Sequence, residues 1–284
     1  IFNIFQRDQF FVDVIGGLLY VEIHVLNEVL LTDADEPFLI PHAAVRAESI
    51  RQTDALNAGV RWEMNLDEAA GTDPAMIDFL GRGDVETEWS MLSFDLSYSV
   101  YLEPLLAGGS AMNADAPPVN SLVHEVAFIA RGQMPLGDER VIAQQQRTIG
   151  GFYTVRGYEE SVAVGDDAIL LTAEYRYHLP RQFDPAPAST LFGSPMHWKP
   201  ANAQARPDWD LIFRTFVDYG SVHNNSPKIA VEDNADLLSA GVGVELQFKR
   251  NLNLRIDWAA ALKDVANEAD AGDSRVHFVG TLVY

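Results

Sequence analysis

A regular alternation of apolar and polar residues is the feature that most constrains how this chain folds. In the segment Leu252–Leu262, every second residue from Leu252 is apolar, and Arg255 and Asp257 are among the residues between them. Segment 238–248 repeats the pattern, and only residues 249–251 separate the two. A period of two is that of a β-strand, and so short a connection is typical of a hairpin. Because the pattern recurs along the chain, we predict an all-β antiparallel fold of about eleven strands.

Three features favour a membrane barrel over a soluble β-sandwich, whose strands would also alternate. Aromatic residues lie towards the ends of the strand segments, as the interfacial girdles of a barrel do. Connections alternate between short and long, and the final strand ends on an aromatic residue, Tyr284. A helical span is excluded, because no stretch approaches the roughly 18 uninterrupted apolar residues that one needs. The sequence therefore predicts a transmembrane antiparallel β-barrel of an outer membrane.

Charge and composition exclude several functions. A net charge of -21 argues against binding to nucleic acid, which needs clustered Lys and Arg. The chain contains no Cys, so it has no thiolate metal site and no cysteine nucleophile. Its seven His are scattered without ligand spacing, and its acidic runs lack the spaced oxygen ligands of a calcium loop. Neither a nucleophile elbow nor a phosphate-binding loop occurs. We predict no enzymatic activity, no cofactor and no metal site.

The lengths of the connections predict the direction of the strands, because outer-membrane barrels have short periplasmic turns and longer outer loops. The short connections are 6–8, 54–55 and 249–251, and the long ones are 69–84, 134–167, 221–236 and 263–274. With the short turns on the periplasmic side, two long connections also fall there, 107–119 and 181–208, and we interpret both as insertions. An odd number of strands cannot close with both ends periplasmic, so we expect further strands before Ile1.

One long outer loop carries a motif that needs a partner. Residues 150–158 read Gly-Gly-Phe-Tyr-Thr-Val-Arg-Gly-Tyr, which places Arg156 among glycines. An arginine held in such a loop needs a fixed anion. Strands that turn every second side chain towards a lumen can supply one. The motif therefore raises the possibility that a loop of the barrel folds inside it.

The loop motif and two later strands resemble the two-partner-secretion transporters (TpsB, the hemolysin activation/secretion group) of the BamA superfamily. The residues that carry the resemblance are Val155-Arg156-Gly157-Tyr158, then Glu174, then Phe216-Val-Asp218-Tyr-Gly220. The resemblance implies a barrel of roughly sixteen strands, preceded by periplasmic POTRA domains. Neither POTRA sequence nor the first barrel strands are recognisable. We therefore expect residues 1–284 to be the C-terminal part of such a barrel, with 134–167 as a plug-like loop.

The resemblance also implies that this loop folds into the lumen and that Arg156 contacts Asp218 and Glu174 on the barrel wall. The alternation agrees, because both carboxylates fall on the polar, lumen-facing side of their strands. A planar guanidinium can be shared by two carboxylates, whereas the ammonium of lysine is a point charge.

Small and aromatic residues complete the expected arrangement. Gly157 would let the backbone turn tightly beside the wall, and Tyr158 would pack there while its hydroxyl finds a hydrogen-bond partner. Gly220, near Phe216 and Asp218, would leave space on the wall for the loop. We interpret the cluster as a lock that sets the conformation in which the barrel admits a client polypeptide. A static plug that only stabilises the barrel is the alternative.

The last strand is similar to a terminal assembly signal of outer-membrane barrels, with Phe278, Gly280, Leu282 and Tyr284 as its residues. Leu282 and Tyr284 fit the apolar positions of such a signal. Gly280 falls one place from the usual glycine, and the last residue is Tyr rather than Phe. We expect the barrel assembly machinery to recognise this strand during insertion of the protein.

The predicted function is that of a non-enzymatic outer-membrane transporter that secretes or inserts client proteins. Its expected partners are a client polypeptide, outer-membrane lipid and the barrel assembly machinery. A client would bind as an extended strand, either at an exposed strand edge or along the lumen. The alternatives are a BamA-like assembly factor that inserts other barrels, and a passive structural barrel or porin whose plug never moves.

Overall fold

The computed structural model describes residues 1–28, 31–106, 122–137, 139–202, 205–228, 232–249, 251–266 and 268–283. In chain order, the strands are β1 (Phe2–Arg7), β2 (Phe10–Asn27), β3 (Thr32–Ile50), β4 (Asp54–Met64), β5 (Ser90–Tyr101), β6 (His124–Pro135), β7 (Arg147–Ile149), β8 (Ala163–Gly165), β9 (Asp167–His178), β10 (Ser189–Leu191), β11 (Ser194–Met196), β12 (Trp209–His223), β13 (Ala235–Phe248), β14 (Leu252–Ala261) and β15 (Ser274–Leu282). β7 pairs with β8 and β10 with β11, and the other eleven form one antiparallel sheet in chain order. The predicted all-β antiparallel fold and its eleven strands are confirmed.

The helices are short and lie in the connections. Among the described residues they are α1 (Asp67–Ala70), α2 (Leu102–Leu106) and 3₁₀ turns at Ile77–Phe79, Ala143–Gln145 and Leu179–Gln182. Within the described ranges, no helix has the length and apolar character needed to cross a membrane.

The outward face of the sheet is apolar and the inward face is polar, as the alternation predicts. On β14, Ile256 and Trp258 are 50% and 46% exposed, whereas Asp257 and Ala259 are fully buried. Large exposed apolar side chains recur along other strands of the sheet. A continuous exposed apolar surface fits contact with an apolar environment, and it is the surface that a membrane barrel turns to lipid.

The short connections lie where the alternation predicts them, with shifted boundaries. The β1–β2 turn is Asp8–Gln9 rather than 6–8. The β3–β4 turn spans 51–53 rather than 54–55, because the residues predicted as the turn already pair with β5. Residues 249–251 join β13 to β14 as predicted, and Arg250 lies outside the described residues.

The long outer connection that carries the arginine motif is called here the plug loop and spans 136–166. The prediction of 134–167 was slightly too wide, because β6 extends to Pro135 and β9 begins at Asp167. The plug loop contains a 3₁₀ turn and the small β7–β8 hairpin, so it has some regular structure of its own.

The two expected insertions differ in what can be said of them. The connection 107–119 lies outside the described residues. The connection 181–208 carries the β10–β11 hairpin, and its first part is tied to the wall. Arg181 is buried and donates to Asp210 through Nη2 at 2.6 Å and to the Tyr101 hydroxyl through Nη1 at 2.7 Å. These bonds hold the start of the connection against the end of β5 and the start of β12.

Two apolar clusters lie inside the sheet. One joins the connection 65–89 to β3 and to Val141 and Ile142 of the plug loop. The other surrounds Val155 and Tyr158 of the plug loop. The plug loop therefore takes part in both clusters, and Val141, Ile142, Val155 and Tyr158 bury their side chains there.

Candidate functional site

The plug loop reaches the inner wall at Gly157. Its φ is +92°, a backbone conformation that residues with a side chain rarely adopt. A Cβ at this position would lie 3.2 Å from the carbonyl carbon of Ala260 and 3.2 Å from the nitrogen of Ala261, both on β14. Glycine therefore meets two requirements here, the backbone conformation and the close approach to the wall.

Arg156 binds three carboxylates carried by three different strands. Asp218 on β12 accepts from Nε at 2.7 Å and from Nη2 at 2.8 Å, which is a bidentate pair. Nη1 donates to Asp257 on β14 at 2.9 Å and to Glu174 on β9 at 3.3 Å. The backbone N–H of Arg156 also donates to Asp218 at 3.2 Å. The structure thus brings Arg156, Asp218 and Glu174 together, as the resemblance implies, and adds Asp257.

Burial makes this cluster energetically important. Arg156 is 3% exposed, and Asp218 and Asp257 are fully buried. The guanidinium carbon lies 3.2 Å from the centroid of the Phe216 ring, so the aromatic face covers the charge. Removal of Arg156 would leave the buried carboxylate of Asp218 without an ion pair among the described residues, which costs about 3–5 kcal/mol.

Tyr158 and Val155 anchor the loop on either side of Arg156, and both are fully buried. The Tyr158 hydroxyl lies 2.9 Å from the carbonyl oxygen of Leu238 and 2.8 Å from that of Lys263, and it donates its one proton to this pair of acceptors. Val155 lies over Gly220, where a Cβ would be 2.7 Å from Val155 Cγ2. A larger residue at 220 would therefore require the Val155 side chain, or the loop that carries it, to shift.

A gap in β13 lets the partners of Arg156 converge. Gly241 and Gly243 face the lumen between β12 and β14. A Cβ at Gly241 would be 2.4 Å from Phe216 Cζ, and one at Gly243 would be 2.0 Å from Asp257 Oδ1. Side chains from the neighbouring strands fill the space that the two glycines leave. The alternation of segment 238–248 puts both glycines on the face opposite its apolar residues, as that of Leu252–Leu262 does for Asp257, but it does not connect them with Arg156.

Other residues that sequence analysis missed extend the cluster along the wall. Arg214 donates through Nε to Glu174 at 2.8 Å, and Arg176 donates to the same carboxylate at 2.6 Å. His277 on β15 accepts from the Gly157 N–H at 3.3 Å. Each of these residues lies on the lumen side of its strand, so the alternation marks them as candidates without identifying their partners.

A second group of charged residues joins three outer connections, and we call Arg82, Arg140, Asp166, Asn224 and Glu232 the outer cluster. Arg82 donates to Glu232 at 3.0 Å, to Asn224 at 3.2 Å and to the Val141 carbonyl at 2.7 Å. It also forms a bidentate pair with Asp166, through Nη1 and, at 2.9 Å, through Nη2. Every N–H of this buried guanidinium therefore has an acceptor.

Arg140 completes the outer cluster from within the plug loop. It forms a bidentate pair with Glu232 at 2.8 and 2.6 Å and donates to the Gly83 carbonyl at 2.9 Å. The hydrogen bonds from Arg140, together with those from the Lys228 N–H and from Arg82, lower the pKa of Glu232 to about 2 against the opposing effect of burial. Glu232 is therefore ionised under ordinary conditions and links two arginines.

Phe278, Gly280 and Leu282 of the expected assembly signal lie on β15, an edge strand of the sheet. Phe278 and Leu282 are 65% and 72% exposed on the outward face. Gly280 lies opposite Leu254, and Tyr284 falls outside the described residues. Over the described ranges, no group of three or more His, Asp or Glu side chains is placed to hold a metal ion.

Comparisons with known proteins bear on the fold. No family model matches the sequence, and no curated protein matches it. CdiB from Escherichia coli, a TpsB transporter, superposes with a TM-score of 0.65 at 13% identity, over 99% of this chain and 43% of CdiB. The fold is that of an outer-membrane β-barrel. At this identity the likeness shows the fold alone, and the chain spans 43% of the length of CdiB.

The toluene transporter TodX from Pseudomonas putida is more distant. Its TM-score is 0.33 at 10% identity, over 98% of this chain and 71% of TodX. We base no inference on this second likeness. The expectation of an outer-membrane barrel fold is confirmed by the first comparison together with the eleven-stranded sheet.

Proposed function

We propose that this chain forms part of a TpsB-type transporter that resides in the outer membrane and moves client polypeptides across it. The fold shared with CdiB supports a transporter barrel. The Val155-Arg156-Gly157-Tyr158 motif supports the TpsB group in particular, because it occupies an outer loop that folds back onto the inner wall. Periplasmic POTRA domains and about five further strands would complete a barrel of roughly sixteen strands.

In this proposal the plug loop is a gate. A client segment that passes along the lumen as an extended chain needs the space that the plug loop occupies. Arg156 holds the loop by hydrogen bonds to three strands, so the loop stays in place until these bonds are exchanged for others. The lock therefore keeps the resting barrel closed and sets the free energy needed to admit a client.

One observation carries the proposal above all. The Arg156 guanidinium is buried beneath the loop, and its bidentate partner Asp218 is carried by the wall. A loop that served only as an outer cap would not need a charged side chain at this depth, because burial of a charge is costly.

The test is export of the client by the full-length protein that carries Arg156→Glu. Charge reversal places a fourth carboxylate beside Asp218, Asp257 and Glu174, so the loop can no longer hold its position. We expect loss of regulated export while the folded barrel still reaches the outer membrane, as judged by its heat-modifiable migration on gels.

Reversal of an exposed arginine, Arg51→Glu, serves as the matched control, because its pair with Asp54 is 3.6 Å long and lies in a turn. Normal client export and normal barrel stability with Arg156→Glu would contradict the proposal. Lower stability with normal export would indicate a static plug. Depletion of other outer-membrane barrels, with no client lost from the medium, would indicate an assembly factor.

A further inference from the structure

A small cavity of about 150 Å³ lies in the lumen between the plug loop and the wall. Five arginines line it against a single carboxylate, that of Glu174; they are Arg131, Arg156, Arg176, Arg214 and Arg255. The chain as a whole has 41 acidic and 20 basic residues, so this lining runs against its overall balance. We propose that the cavity binds an oxyanion, supplied by an acidic side chain of a client segment or by free phosphate. The client source rests on the proposed transport function.

Several of these arginines bind carboxylates through part of the guanidinium and keep at least one nitrogen without a hydrogen bond to a described residue. Arg255 binds Asp257 through Nε at 2.9 Å and Nη2 at 2.5 Å, which leaves Nη1 without a partner among the described residues. Arg176 binds Glu174 through Nε at 2.6 Å and Glu125 through Nη1 at 3.5 Å, which leaves Nη2. At neutral pH a carboxylate only accepts hydrogen bonds and most oxygen atoms of a phosphate accept them, and such a ligand matches a cavity that mainly offers donors.

Arg214 provides a buried donor that lacks an acceptor. It is 3% exposed, and its Nε and Nη2 both donate to Glu174. Its Nη1 makes no hydrogen bond to any described residue, and the carboxylate oxygens of Glu245 and Asp257 lie 3.5 and 3.7 Å away. Buried polar groups are nearly always satisfied, so this atom is a place for an acceptor that enters the cavity.

Arg131 provides an exposed guanidinium that is available to bind the ligand. It lies on the lumen side of β6, directly opposite Asp95 of β5. The two make no ion pair within 4.0 Å, and Asp95 instead points at Gly59, where a Cβ would lie 2.7 Å from its Oδ1. Since Arg131 is exposed and has no partner in the described part of the chain, its replacement leaves the lock intact.

Occupation of the cavity is coupled to the plug loop through Glu174. The contact between Arg156 and Glu174, at 3.3 Å, is the longest of those that the Arg156 side chain makes. An oxyanion bound between Arg214 and Arg156 repels the charge of Glu174 and competes with it for Nη1 of Arg156. Binding at this site therefore weakens one of the three ion pairs that hold Arg156.

The experiment is binding of a fluorescently labelled hexaglutamate peptide to the full-length protein in neutral detergent, followed by anisotropy at constant ionic strength. Hexalysine is the comparison peptide. We expect hexaglutamate to bind and hexalysine not to bind. Arg131→Gln should weaken hexaglutamate binding about tenfold, the effect of one lost charge-assisted hydrogen bond. Arg61→Gln is the matched control, because Arg61 also faces the lumen but pairs with Glu63 at 2.7 Å, outside the cavity.

Equal binding of the two peptides, or equal loss with Arg131→Gln and Arg61→Gln, would overturn the proposal. Competition with inorganic phosphate separates the two sources. Displacement of hexaglutamate by millimolar phosphate, dependent on Arg131, supports the site and assigns it to small anions. Resistance to phosphate supports an acidic client segment. Arg131-dependent binding in a protein that exports no client would uphold the site and refute the transport function.

Discussion

Two arginine clusters hold the plug loop, and they differ in what carries their partners. At the wall, Arg156 comes from the loop and its three carboxylates come from strands β9, β12 and β14. In the outer cluster, Arg82 and Arg140 and their carboxylates all lie in connections. Strand-borne partners are positioned by the hydrogen bonds of the sheet, whereas loop-borne partners are positioned mainly by each other. We therefore expect the ion pairs of the wall cluster to break only when the whole barrel unfolds. Those of the outer cluster should break by local opening.

The largest effect is expected from Asp218→Ala, which leaves the buried Arg156 guanidinium without its bidentate partner. We expect a loss of about 3–5 kcal/mol in the free energy of unfolding. The measurement is the urea midpoint of the folded band on gels for the purified full-length protein. Asp236→Ala is the control, because its pair with Lys263 at 3.3 Å is about half exposed and contributes less than about 1 kcal/mol. Similar shifts of the urea midpoint for both variants would show that the wall cluster stabilises the barrel no more than an exposed ion pair does.

A smaller effect is expected from Gly220→Ala, which tests the fit between loop and wall without any change of charge. The new Cβ would lie 2.7 Å from Val155 Cγ2, and overpacking of this kind costs about 1–3 kcal/mol. We expect a lower urea midpoint and faster protease cleavage within the plug loop. Gly16→Ala is the matched control. Gly16 lies on β2 of the same sheet, and a Cβ there would meet nothing within 4 Å. Unchanged cleavage in Gly220→Ala would show that Val155 can move without releasing the loop.

Arg82→Ala tests whether the outer cluster opens locally. It leaves Asp166 buried without its guanidinium partner, and we expect about 1–3 kcal/mol of local destabilisation. Because the partners lie in connections, hydrogen exchange should rise at 139–146 and 224–228 while the urea midpoint of the barrel stays close to that of the wild type. A fall of the midpoint as large as that of Asp218→Ala would mean that the two clusters unfold as one unit.

The smallest effect is a dependence on pH confined to the outer cluster. Glu232 has its pKa lowered to about 2, so its contribution is complete above its usual pKa near 4.5 and is lost as the pH falls towards 2. Protease cleavage of the outer connections should therefore accelerate between about pH 4.5 and pH 2. Glu232→Gln should remove this dependence at Glu232 while the cleavage rate at neutral pH rises. A pH profile identical in wild type and Glu232→Gln would exclude Glu232 as the titrating group.

The strands were open to prediction because period two is a local property, and the structure bears out the alternation on β12, β13 and β14. The same pattern placed Glu174 and Asp218 on the inward face, where the structure has them next to Arg156. Asp257 was visible on that face, but its contact depends on a gap that Gly241 and Gly243 open in a different strand. A relation between three strands has no signature in the alternation of any one of them.

The outer cluster was beyond sequence reasoning for a different reason. Arg82, Arg140 and Glu232 lie in connections, which have no periodicity to say which way a side chain points. The contacts of Arg82 also join positions 84, 142 and 150 residues apart. The predicted boundaries of short turns also failed, because a turn such as 51–53 depends on how far the strand pairing continues rather than on turn residues.

The contacts of Tyr158 and Arg156 set an order of events during assembly of the barrel. The acceptors of the Tyr158 hydroxyl lie 80 and 105 residues downstream, and Asp257 lies 101 residues from Arg156. The plug loop is therefore synthesised long before its seat exists, and contacts of such separation form late and slowly. Until β13 and β14 join the sheet, the loop has no place to close. A closed lock therefore reports on assembly, because a barrel in which it is closed already contains the β13–β14 hairpin.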